Sequence, residues 1–254
     1  MERQGVLREQ YEVLFARPWS VWGAALLIGT LNVFLFAYDR PWTASDGARN
    51  WGDWLFQAVG ALNRPDLVSP VLYSGSLLNL GVLAGAFAAA LLSREFAVRV
   101  APAGELFKGG IGGFLMGIGA VPAFGCNIGG FFSALSALSM SGFAMMVGLG
   151  VGAYLGLKYL LWEVEHWPGL STGKSYSFGA SRAPGLGWQP ALGALALLAL
   201  LLLPFVYNRL GYIPQGGFLL FGVAFGVVFQ RSRFCLVRAF REPFMSGEAD
   251  HTRA

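Results

Sequence analysis

Long uncharged runs separated by short charged clusters set the plan of this chain. Trp19–Tyr38, Val71–Leu92, Ala144–Trp162 and Trp188–Tyr207 are apolar over most of their length. At 1.5 Å per residue each is long enough to cross a hydrocarbon core of roughly 30 Å as a helix. Three further apolar pieces are too short or too broken to cross alone: Trp51–Leu62, the glycine-rich Gly109–Met140, and Gly216–Phe229. Short apolar segments beside full spans predict re-entrant half-helices, whose irregular backbone survives at membrane depth only where protein or water satisfies it. The predicted organisation is a polar segment over 1–18, a first membrane half over 19–162, a polar loop over 163–187, and the start of a second half over 188–254. The fold class is all-α, a polytopic membrane protein with broken helices.

Composition agrees. Hydrophobic residues make up 55% of the 254 and charged residues 13%, about half the charged share of a soluble domain. The net charge of +4 forms no basic stripe, so nucleic acid is not an expected partner. The basic residues act instead as topology signals. With the amino end cytoplasmic and each broken piece dipping and returning, Arg40, Arg49, Arg64, Lys158, Lys174 and Arg182 fall outside. The other twelve of the 18 Lys and Arg fall inside, the sense of the positive-inside rule. No A-x-A cleavage pattern follows the first eighteen residues, so Trp19–Tyr38 is expected to be a retained span.

Small residues are spaced for helix contact. Gly109, Gly113 and Gly117 recur every fourth position, as do Gly148, Gly152 and Gly156, and Gly222 with Gly226. Glycines at that interval share a helix face and let two backbones approach closely. A faint internal repeat aligns Trp19 and Tyr38-Asp39-Arg40 with Trp188 and Tyr207-Asn208-Arg209. The expected arrangement places the second copy inverted in the membrane, a transporter architecture.

Candidate chemistry lies in two cysteine segments. In Gly109–Gly142, Pro122 breaks the helix that precedes it and Gly125 supplies the conformation of a sharp reversal. Asn127 is then a suitable N-cap for a second half-helix through Phe131–Leu138. Cys126 sits at that break, beside the N–H groups of a helix start that attracts anions. The second segment runs from Gln230 to Arg241. There Cys235 stands between Arg233 and Arg238, whose guanidinium groups suit an anion; its plainer alternative is a basic flank anchoring the preceding span. Two cysteines make no disulfide framework, and two histidines in polar stretches point to no metal or haem. The chain has no C-x-x-C motif, no histidine base near either cysteine and no cofactor signature, so an enzyme is not expected. The four long spans carry no acid, so proton coupling has no visible residue.

These two segments resemble the YeeE/YedE family of membrane proteins, whose characterised members take up thiosulfate. The resemblance rests on Gly125-Cys126-Asn127-Ile128-Gly129-Gly130, and on Gln230-Arg231-Ser232-Arg233-Phe234-Cys235 with Ala239-Phe240-Arg241. The first motif is worded most like the YedE branch, associated with selenium metabolism. The resemblance implies two inverted halves around a central path, with Cys126 and Cys235 lining it and Gly125, Asn127, Gly129, Gly130 and Arg233 in support. The substrate it implies is a small sulfur anion, passed along by thiol hydrogen bonds without a redox change or cofactor. It also implies an inner-membrane location and a soluble sulfur carrier of the TusA type as partner. Family members carry a further Gly-Cys loop in a second half, so this chain is expected to be truncated, split from a second membrane chain, or completed as a homodimer. The expected function is uptake of thiosulfate or a related anion. Its alternatives are transport of a selenium species, a membrane-embedded sulfurtransferase or thiol redox protein, and a non-transporting subunit.

Overall fold

The computed structural model describes residues 11, 13, 15, 17–123, 125–166, 176–178, 188–235 and 238–240. Most of the polar 1–18 segment and of the 163–187 loop, with Lys174, Arg182, Arg241 and Arg253, lies outside the described residues. The elements are α1 (Val21–Tyr38), α2 (Ala44–Ala58), α3 (Ser74–Leu92), β1 (Val98–Val100), α4 (Ala103–Ala120), a loop helix (Asn127–Ser133 continued by Ala134–Ser136), α5 (Met140–His166), β2 (Tyr176–Phe178), α6 (Trp188–Arg209) and α7 (Ile213–Ser232). Helices α1, α3, α5, α6 and α7 are long and apolar enough to cross a membrane. The chain is an all-α, multi-pass membrane protein with a three-residue β pairing.

Two compact units form: residues 1–96 group with 181–234, and residues 97–180 with 235–254. In the first unit α7 packs along α3, and glycine is the reason they fit. A Cβ built on Gly81 would stand 2.9 Å from the Gly222 Cα, and one on Gly226 would stand 2.7 Å from the Ala86 nitrogen. Residue numbers rise together along the seam, so α3 and α7 run parallel. Helix α1 runs the other way: Tyr38, at its end, packs on Phe218 near the start of α7, while the Trp19 N–H donates to the Arg231 carbonyl at 3.1 Å. Helix α6 also opposes α3, since Gly193 lies against Leu92 and the Tyr207 hydroxyl donates to the Val71 carbonyl at 2.9 Å.

Helices α1 and α6 are therefore parallel. The repeat they anchor is not inverted within the first unit, contrary to expectation, because both helices run opposite to the parallel α3–α7 pair. Gly216–Phe229 is likewise no half-helix. It is the middle of the 20-residue α7, which Pro214 starts well, having no N–H to leave unpaired in the first turn. Trp51–Leu62 is the end of a helix that begins earlier, at Ala44, through polar residues. Its start is held by Arg40, which pairs with Asp46 at 2.7 Å and donates to the Ser74 hydroxyl at 2.8 Å. Buried Asn50 accepts from the Ser76 hydroxyl at 2.8 Å.

In the second unit α4 and α5 are antiparallel. The first turns of α4 meet the last turn of α5 through Lys108 and Glu163. β1 and β2 close the same end, with Val98 opposite Phe178 and Val100 opposite Tyr176.

Candidate functional site at the broken helix

Helix α4 stops at Ala120, two residues before Pro122. The chain then reverses: the Gly125 N–H donates to the Ala120 carbonyl at 3.0 Å, and Gly125 takes a φ of +156°. A side chain there would also collide, since a Cβ would lie 2.8 Å from the Gly130 nitrogen. Gly130 is packed against the opposite helix, where a Cβ would stand 2.6 Å from the Met145 sulfur and 3.0 Å from the Ala123 carbonyl oxygen. The two motif glycines thus let the loop helix fold back on its own entry strand.

Cys126 occupies the boundary itself. It is extended, with φ −80° and ψ −175°, and it is the N-cap of the loop helix. Asn127, expected as the cap, is instead the first helical residue. The helix is wound as a π-helix over Asn127–Ser133, a form that recurs at functional sites. The Gly130 N–H reaches the Cys126 carbonyl at 2.7 Å. The N–H groups of Asn127 and its successors in the first turn have no partner within the helix. Leu138, at φ +55°, ends the segment.

Cys126 lines a cavity of about 690 Å³ between the end of α4 and the start of α5. Gly125, Cys126 and Asn127 line it with Pro122, Ser141, Met116 and Met145 among others, and among the described residues no charged one does. Cys126, Met116 and Met145 give the lining three sulfur-bearing residues, soft and polarisable, and Ser141 and Asn127 are its polar ones. Sequence reasoning missed Met116, Met145 and Ser141. Only their distance from the Pro122 break could have marked them, because each sits within two turns of a helix end. Gly129 and Gly130, expected in support, are not among the residues that line the cavity.

Cys235 belongs to the same unit but is exposed and does not line the cavity. Its carbonyl accepts the Ala239 N–H at 3.2 Å. The turn that follows places Phe240 edge-on against Phe131 of the loop helix, with ring centroids 5.2 Å apart. Arg233 is placed otherwise than expected. Left-handed at φ +53°, it pairs with Glu95 at 3.1 Å, beside buried Arg231. These arginines join the end of α7 to the end of α3, which favours the anchoring reading for that half of the motif.

The chain is 24% identical to the protein named Probable transporter YedE of Escherichia coli strain K12, over 93% of this chain and 61% of that protein. It is 30% identical over 145 residues to the thiosulfate transporter TsuA of the same strain, covering 56% of this chain and 40% of TsuA. It is 40% identical over 91 residues to TsuA of Spirochaeta thermophila, covering 35% and 26%. The chain spans about three fifths of the length of the YedE proteins it matches. No solved structure matches it. The model of one family, described as sulphur transport, matches residues 3–155, which takes in α1 to α4, the whole Cys126 loop and the first part of α5, and the chain belongs to that family.

Proposed function

We propose that this protein takes up thiosulfate or a closely related sulfur anion across the inner membrane, with the Cys126 cavity as its binding station. The observation that carries the reading is the placement of one thiol at a helix break, facing a sulfur-lined cavity, in a chain of the sulphur transport family. A diffuse sulfur-borne charge matches thiol and thioether surfaces better than it matches water-like oxygen ligands. The N–H groups at the loop-helix start favour negative charge. Hydrogen bonds to a charged group contribute about 1.5–3 kcal/mol each, enough to hold an anion briefly and release it. The cycle needs no bond to the cysteine: the thiol donates to the anion, the anion moves on, and the thiol is unchanged.

Cys235 is a second station on the same path, near the loop helix through the Phe240–Phe131 contact. A TusA-type carrier would receive the sulfur on the cytoplasmic side. Another sulfur oxyanion or a selenium species is the next substrate in order, because the YedE match extends along more of the chain than the TsuA match. The test is uptake of labelled thiosulfate by sulfur-starved cells and by proteoliposomes holding the protein, with sulfate and selenite as competitors. Saturable thiosulfate uptake that sulfate does not suppress is expected. Uptake no faster than from empty vesicles overturns the reading.

A further inference from the structure

We infer that Ser141 is a specificity-determining residue of the Cys126 cavity, donating to the oxygen end of an anion whose sulfur end meets the cysteine and the two methionines. The inference rests on the transport reading above. The class selected is a thio-oxyanion, with a terminal sulfur and oxygens on one centre. Among the described residues no charged side chain lines the cavity, so no cation there offsets the water that a bound anion gives up. An all-oxygen anion such as sulfate holds that water tightly and finds few donors in exchange. A thio-oxyanion carries part of its charge on sulfur, for which Cys126, Met116 and Met145 are a soft match. Its oxygens still need hydrogen-bond donors, and Ser141 and Asn127 are the polar side chains of the lining besides the thiol.

The fold fixes where the Ser141 hydroxyl stands. Its neighbour Gly142 is buried against the loop helix: a Cβ there would lie 2.6 Å from the Leu135 nitrogen and 2.9 Å from the Ala134 carbonyl carbon. The Ser139 N–H donates to the Ala134 carbonyl at 2.9 Å, and the Gly142 N–H to the Ser139 carbonyl at 3.0 Å. The first turn of α5 is thereby pinned to the end of the helix that Cys126 caps. Met145 lies four residues after Ser141, on the same helix face with Cβ atoms about 5–6 Å apart, and both line the cavity. An anion along that face reaches a hydroxyl with one end and a thioether with the other. The Ser139 and Ser141 hydroxyls are 2.8 Å apart, and either can donate. An anion beside Ser141 favours one order. Ser139 donates to Ser141 and Ser141 to the anion, a chain in which each bond strengthens the next.

Equilibrium binding of labelled thiosulfate to the purified protein tests this with Ser141→Ala, Ser141→Thr and Ser139→Ala. Ser141 is exposed, so its truncation leaves no packing void and all three variants should melt with wild type. Alanine at 141 should raise the thiosulfate Kd roughly 10- to 100-fold, the loss of a hydrogen bond to a charged group. Threonine keeps the hydroxyl and should restore most of the affinity. Ser139→Ala removes only the relay partner and should cost less than Ser141→Ala. Hydrosulfide has a sulfur end and no oxygens, so its inhibition constant against thiosulfate should be the same in Ser141→Ala as in wild type. A merely structural role would weaken both anions together. Parallel loss for both, a loss that threonine does not restore, or wild-type thiosulfate affinity in Ser141→Ala overturns the inference and leaves the Cys126 reading standing. A wild-type protein that binds no thiosulfate overturns that reading, and this inference with it.

Discussion

Gly81 and Gly222 face each other across the α3–α7 seam so closely that a methyl group on either would stand 2.9 Å from the other's Cα. Both neighbours are backbone, so neither can swing aside. Gly222→Ala and Gly226→Ala are each expected to destabilise the first unit by about 1–3 kcal/mol, the cost of overpacking a filled contact. The glycines of α4 and α5 offer the contrast: Gly113 and Gly152 have nothing within 4 Å of a built Cβ. Gly113→Ala and Gly152→Ala should leave stability of the lone chain within about 0.5 kcal/mol. Thermal unfolding in detergent, followed by tryptophan fluorescence, separates the two classes. Equal melting shifts for the two sets would reject the packing.

Those open ladders are spaced for helix contact and meet none among the described residues. The protein is therefore expected to purify as a homodimer or with a second membrane chain that covers them. Bulky substitution, Gly113→Leu with Gly152→Leu, should then shift the particle toward monomer while leaving the first unit folded. Light scattering in detergent reads the mass directly. A wild-type monomer that transports in proteoliposomes excludes this assembly.

How far the sequence carried depended on whether a residue's partner was local. Cys126, Gly125 and Pro122 were legible because a proline, a glycine and a cap signal fall within a few positions, and the structure puts the helix break where they do. The cap itself was misassigned to Asn127, since π-winding begins one residue earlier than an α-helical pattern implies. Gly216–Phe229 was misread because Ile213-Pro214-Gln215 looks like a loop, although proline is well tolerated in a helix's first turn. Arg233 and Arg231 look like a solvated flank, and only a residue far away in sequence, Glu95, reveals them as an anchor.

Topology follows from the first unit alone. Leu92, where α3 ends, adjoins Gly193, where α6 begins, so the chain leaves and re-enters at the same end of the bundle, and Trp19 and Arg231 share that end. The expected arrangement has both termini cytoplasmic, with α4 and α5 crossing as a return pair. The far-side connections then hold Arg40, Arg49, Arg64 and Arg209, while Lys108 and Lys158 lie in helices and the other twelve Lys and Arg fall inside. That contrast is sharper than the dip-and-return route gives. Reporter fusions after Arg17 and after Phe234 should read cytoplasmic, and one at Gly211 periplasmic. A cytoplasmic signal at Gly211 restores the earlier route, and a periplasmic signal at either terminus rejects both.

Cys126 decides between packing and transport. A cysteine that merely fills space is a small hydrophobe, and Cys126→Ala would then lower stability slightly while Cys126→Ser cost more, by burying a stronger polar group. The cavity beside it changes the expectation. The thiol is half-exposed toward an open volume, so its removal leaves little new void, and either variant should insert and fold nearly as wild type does. What alanine removes is the thiol donor at the helix break. Losing a charge-assisted bond of about 1.5–3 kcal/mol weakens binding by roughly 10- to 100-fold, which should reduce thiosulfate uptake to background at micromolar substrate. Serine keeps a donor but with a smaller, harder oxygen, so partial rescue is expected, well below wild type. Cys235→Ala, exposed and outside the cavity, should reduce uptake less than Cys126→Ala. Labelled thiosulfate uptake, normalised to membrane-inserted protein, measures all three; wild-type uptake by Cys126→Ala would return this cysteine to a packing role and leave the sulfur-lined cavity without its donor.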